Sequence, residues 1–171
     1  SGEQKTEAYR RWMDNADAAR FDAASRDTIE AWKRVLDACT KAAENAQTDP
    51  EREAVAAVRS EAGQRRDWLL AREADTKGDL DEALRLAALA CNAASPPKAL
   101  VDYHAALEVR KKTADAKAAL KREYNRLAGA ATAEKDPVKA ADLWKLALAA
   151  AEDQADVAAA NSALSTLAPE I

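Results

Sequence analysis

The sequence predicts an all-α protein, and three observations predict it. Alanine, the strongest helix former, dominates the apolar residues, and Leu, Arg, Lys and Glu, which rank close behind, surround it. Helix breakers are scarce, with 4 glycines and 5 prolines among 171 residues. Val and Ile are sparse, and no run alternates as a half-buried strand would. At this length the chain fits one domain, 1–171, able to bury roughly 70% of its unfolded surface.

Helix punctuation divides the chain into seven elements, taken here in order. The first is expected over 4–23, ending at "AASRD", where Ser25 offers a cap for a second helix over 26–46. "TDPERE" then supplies an N-cap at Thr48 or Asp49, a first-turn proline and acidic residues, opening a third helix over 50–77. "KGD" stops it with Gly78 and starts a fourth, 80–94, at Asp79. "SPPK", with Ser95 as cap, opens a long fifth helix over 97–134. Its apolar stripe shifts between Leu100, Tyr103, Leu107 and Leu120, Tyr124, Leu127, so an interruption is expected near "RKKTAD", 110–115. "KDPVK" caps a sixth over 138–152, and "EDQAD" separates a short last helix, 155–167.

The break points recur. Placing Gly78 beside Lys135 brings Leu70, Ala71, Ala74, Ala83 and Ala90 onto Leu127, Ala128, Ala131, Ala140 and Ala147, all 57 positions on. Placing Gly78 beside Ala23, 55 positions back, brings Ala71 and Ala74 onto Ala16 and Ala19. "WKRVLDA" from Trp32 matches "WKLALAA" from Trp144, and Trp12 and Tyr124 each stand 20 positions before those tryptophans. Three repeated helical hairpins are expected, over 4–46, 50–94 and 97–152, with 155–167 as a cap. An antiparallel helical bundle is the alternative architecture.

The small-residue spacing resembles the tetratricopeptide repeat. "GDLDEALRLAALA", 78–90, with Trp68, Leu70, Ala71 and Ala74 ahead of it, carries the likeness best; 135–149 is second and 24–38 a poor third. Alanine at such positions lets two helix axes approach to the short end of the usual ~8–10 Å separation. The chain departs from the family's 34-residue unit. Its longer period leaves surplus segments near 43–63 and 98–120, each extending the first helix of the next hairpin.

Composition excludes some functions. Net charge is −4 and the pI near 5.2, which argues against general nucleic-acid binding. No 18-residue uncharged apolar run is present to span a membrane. The chain opens Ser-Gly without Met, as a cloning remnant would, so it is expected to be a piece of a longer protein. Cys39 and Cys91 lie in no metal-ligand spacing and read as small buried side chains. His104 is the only histidine and has no second ligand or nucleophile to serve. Phosphate-loop, dinucleotide, nucleophile-elbow and zinc-protease motifs are missing. Catalytic, cofactor and metal sites are therefore not expected, and a non-catalytic interaction or scaffold module is.

Two surfaces could carry binding. In the resembling family, first-helix positions line a concave groove for peptides. Carried over, these are Arg10, Met13, Asp17 and Arg20; Arg65, Trp68, Arg72 and Asp75; and Arg122, Asn125, Gly129 and Thr132. Arg10, Arg65 and Arg122 are arginine at one equivalent position, and the arginine fork suits peptide carboxylates. The candidate groove is thus Arg10, Arg65, Trp68, Arg72, Arg122 and Asn125, for a protein or peptide partner. The second surface is the basic run Arg110, Lys111, Lys112, Lys117, Lys121, Arg122 and Arg126, opposed by only Asp115 and Glu123. It offers an alternative function in binding nucleic acid or another anionic ligand. A ligand-sensing input domain of a signalling protein is the third reading. Trp12, Trp32, Trp68 and Trp144 are expected to fill the space between alanine-rich helices.

Overall fold

The computed structural model describes residues 1–93 and 95–171. Among the described residues, seven α-helices follow one another and no strand forms. They are α1 (Gly2–Arg26), α2 (Ile29–Asn45), α3 (Asp49–Thr76), α4 (Leu80–Cys91), α5 (Lys98–Ala133), α6 (Pro137–Ala150) and α7 (Gln154–Leu167), followed by a 3-10 turn at Ala168–Glu170. Every expected helix is present, with ends within a turn of those expected. The end expected for the fourth, at 94, lies outside the described residues.

Local chemistry explains most boundaries. The Thr48 hydroxyl accepts the Glu51 N–H while Glu51 accepts the Thr48 N–H, a reciprocal pair that opens α3. At the other end Gly78 takes φ 82, donating to Asp75 O at 3.0 Å, and Asp79 donates to Ala74 O at 2.9 Å. These two bonds close α3 in a Schellman motif, and the Asp79 carboxylate at once caps α4 through the Glu82 N–H. Asp136 with Pro137 starts α6, and Asp153 starts α7.

Three expectations are corrected. Ser25 is not a cap: α1 continues through Arg26, Asp27 ends it in the left-handed conformation (φ 48), and Thr28 caps α2. Aspartate tolerates that conformation because its short polar side chain bonds locally. Ser95 does not cap α5 either; it sits at φ 53, and the first helical bond runs from Val101 N–H to the Pro97 carbonyl. Finally, α5 is not interrupted at 110–115. Alanine's propensity and the Lys111–Asp115 pair, at 3.0 Å and four residues apart, favour its continuing. The shifted stripe reflects a change of face: α5 packs its early residues on one core and its late residues on another.

The chain divides into two compact units, Ser1–Val109 and Arg110–Ile171. In the first, α1 and α2 form a hairpin whose crossing is made of Ala16, Ala23, Ala31, Ala38 and Ala42. Val55, Val58 and Ala62 from the first half of α3 cover it. The second half of α3 then turns Trp68, Ala71 and Ala74 toward α4, where Ala83, Ala87 and Ala90 meet them. Leu100 and Leu107 of α5 complete that core. The Gln64 amide, buried between these two sets, donates to Ala90 O at 3.2 Å. That carbonyl lies in the last turn of α4, where it also accepts the Ala93 N–H at 3.4 Å. In the second unit, Tyr124 and Leu127 of α5 pack with Ala147 and Ala150 of α6 and Ala160 of α7.

The expected surplus segments are therefore the first halves of α3 and α5, and each serves a core that precedes its own hairpin. Small residues lie at the crossings because bulkier ones would hold the axes apart. Among the described residues, no helix is long and apolar enough to cross a membrane.

Both cysteines are free; Cys39 is buried in the α1–α2 core and Cys91 is partly exposed near the Leu100 carbonyl. Burial raises both thiol pKa values above their ordinary value. A thiol reagent at mildly alkaline pH should modify Cys91 in the native protein and Cys39 only at the rate of unfolding. Equal rates for the two would contradict the burial of Cys39.

Candidate functional site

Arg65, Trp68 and Arg72 occupy α3 where it passes from the first core to the second. Their spacing of three and four residues places all three on one helix face. The Trp68 ring is 8% exposed. The Arg72 guanidinium lies 4.8 Å and that of Arg65 5.6 Å from its centroid, and Arg72 also lies 6.0 Å from the Tyr103 ring. These cation–π distances hold both guanidiniums against the aromatic surface. Beside them is a hollow of about 80 Å³ lined by Asp27, Arg65, Trp68, Leu69 and Arg72. Asp27 is positioned by its left-handed cap, and its Oδ1 accepts the Trp32 Nε1–H at 2.9 Å. Trp68 Nε1 is sealed from solvent and has no acceptor among the described residues.

The other groove positions do not join this cluster. Arg10 lines a separate hollow with Thr6, Glu7 and Gln47. Its charge helps hold the Glu51 carboxyl below the ordinary range, behind the larger contribution of the Gln47 backbone N–H. Glu51 and Arg65 are both on α3, with about 21 Å of helix rise between them. Arg20 of α1 reaches α3 lower down, pairing with Glu61 at 2.7 Å. Arg122 and Asn125 are exposed on α5 within the second unit.

The basic run is only partly available as a positive surface. Lys111 pairs with Asp115 and Arg126 with Glu123. Lys121 bridges Asp153 at 3.3 Å and Asp156 at 2.5 Å. Hydrogen bonding to Asp156 is the main cause that raises the Lys121 pKa. Lys112, Lys117 and Arg122 form no ion pair among the described residues. At 100° per residue, however, Lys117 lies about 140° around α5 from both Lys112 and Arg122, so the three present no common face. Lys117 and Lys121 flank an open groove of about 380 Å³ floored by Ala114, Ala118 and Ala150 and closed by the acidic corner Glu152–Asp156.

The tryptophans divide. Trp32 and Trp68 are buried, and Trp12 and Trp144 are half-buried. His104 is half-buried, its Nδ1 3.1 Å from Glu108. No three His, Cys, Asp or Glu side chains among the described residues converge into a metal-ligand set. One exposed feature escaped the sequence reading: Phe21, the only phenylalanine, is 83% exposed on α1. A helical wheel carries the signal, since Phe21 points about 140° away from buried Ala16.

Comparison with known proteins gives no match: no family model matches the chain, and neither does any curated protein or solved structure.

Proposed function

We propose that this chain is a non-catalytic module of tetratricopeptide-like helical hairpins that binds a protein partner, with Arg65, Trp68 and Arg72 at its docking point. One observation carries the reading. Two guanidiniums are held on a tryptophan face at the surface of a well-packed helix, and neither is in an ion pair among the described residues. Trp and Arg are the side chains most often found where interface energy concentrates. The long α3 also supports it, since within the first unit it joins the core under α1 and α2 to the core under α4. Exposed Phe21 adds a second apolar anchor in the same unit. The basic run supports an anion-binding reading less, because its lysines and arginines are partly neutralised and radiate in different directions.

The test is affinity capture with chemical crosslinking, comparing the wild type with an Arg65→Gln/Arg72→Gln variant. A specific partner should crosslink to peptides of α3, with its recovery from the variant reduced by about tenfold, as expected for losing charge-assisted contacts. Recovery of no partner, or of the same partner equally from both proteins, would overturn the proposal.

A further inference from the structure

Six of the fourteen arginines of this chain are held by carboxylates among the described residues. Arg20 pairs with Glu61, Arg26 with Asp22, Arg52 with Asp49, Arg66 with Asp67, Arg85 with Glu82 and Arg126 with Glu123. With 30 acidic residues against 26 Lys and Arg, acceptors are plentiful. Among the described residues Arg65 and Arg72 have no carboxylate partner, although Arg66 between them is paired. Both are instead laid against Trp68, which limits their rotamers before any ligand arrives. The same indole carries a buried N–H with no acceptor among the described residues, in an interior where nearly all such donors are satisfied.

We propose that the hollow beside Trp68 is an oxyanion receptor that takes one side-chain carboxylate, from an Asp or Glu in an acidic segment of the partner. This rests on the interaction-module reading and names the chemistry of its docking point. The carboxylate sits between the guanidiniums of Arg65 and Arg72, beside the Trp68 ring. The hollow is small, about 80 Å³, yet has room for a carboxylate head, since roughly 10–15 Å³ already admits one water. Charge favours this occupant. Two guanidiniums opposed by Asp27 leave the hollow one net positive charge, which a monoanion neutralises. A phosphate dianion would meet the Asp27 carboxylate with an uncompensated charge. The Trp32 indole holds Asp27 beside the hollow through a 2.9 Å hydrogen bond, so turning away would forfeit that bond.

The test is a titration of the ¹⁵N-labelled chain with sodium acetate at constant ionic strength, reading the four indole N–H signals, with Trp68 assigned from a Trp68→Phe variant. The Trp68 signal should move and saturate, while those of Trp12, Trp32 and Trp144 stay fixed. Inorganic phosphate should bind more weakly. Arg65→Gln/Arg72→Gln should weaken acetate binding by about tenfold or more, and Arg72→Lys, which keeps charge but loses the fork, by less. Lys117→Gln, in the basic run, should change nothing. A Trp68 signal that never saturates, or that saturates equally in the double variant, overturns the receptor. Tighter phosphate than acetate binding overturns its selectivity for carboxylates. Crosslinking separates the two levels: a partner still captured on α3 without any acetate response leaves the module standing and removes the receptor, whereas no captured partner removes both.

Discussion

Trp32→Ala is expected to cost about 3–5 kcal/mol of folding stability, the range for truncating a buried tryptophan. Against a typical total of about 5–15 kcal/mol, that is a large share of what holds the chain folded. Trp32 is 2% exposed and belongs to the core that Ala16 and Ala23 of α1 share with Val58 and Ala62 of α3. Most other buried residues of that core are alanines, whose short side chains cannot reach into the space it would leave. Its Nε1 also donates to Asp27, so the truncation strands a carboxylate that holds the α1–α2 turn. Trp144→Ala provides the comparison. That ring stands in the matching "WK" sequence of α6, yet it is half-buried and borders an open hollow of about 560 Å³ lined also by Thr132, Ser162 and Thr166. Its truncation should cost less than half as much. Urea unfolding followed by circular dichroism measures both, and equal losses would mean that the two rings are equally enclosed.

How far the sequence could be read follows from which interactions are local. Gly78 and Asp79 end one helix and start the next through bonds within five residues, so "KGD" could be interpreted without knowing the fold. The Thr48–Glu51 box is equally local. Asp27 was harder, because a non-glycine residue in a left-handed cap depends on what its side chain meets, here Trp32 five residues on. The course of α5 was misread for a tertiary reason: a stripe that changes face looks like a broken helix until two different cores are known to flank it. The candidate groove divides in the same way. Arg65, Trp68 and Arg72 share a helix face by spacing alone, but where Arg10 lies depends on how α1 packs against α3. Phe21 was open to a helical-wheel reading that the search for repeats passed over.

Ala116→Pro should break α5 while leaving the cores at either end packed. Proline there removes the N–H that bonds to the Lys112 carbonyl, and its ring clashes with that carbonyl, at about 3 kcal/mol or more for a helix interior. Ala116→Gly, which keeps the bond, should cost about 1 kcal/mol. The contrast with α3 decides where the damage appears. In α3 the first core ends at Ala62 and the next begins at Trp68, with Gln64 buried between, so the change of face happens under cover. In α5 the corresponding residues are Leu107 and Tyr124, and every residue from 112 to 123 is exposed. No core residue is displaced by a proline at 116, so helix propensity and pairs such as Lys111–Asp115 are what it must overcome. Hydrogen exchange should therefore accelerate across 112–120 in Ala116→Pro, with amides near Leu107 and Leu127 still protected. Ala62→Pro, placed in the covered handover of α3, should instead expose the amides of both cores of the first unit. If Ala116→Pro left exchange at 112–120 unchanged, the continuity of α5 through its bare middle would be refuted. If it also released the amides near Leu127, packing of the second unit would depend on a straight α5, and the two units would share their stability through that helix.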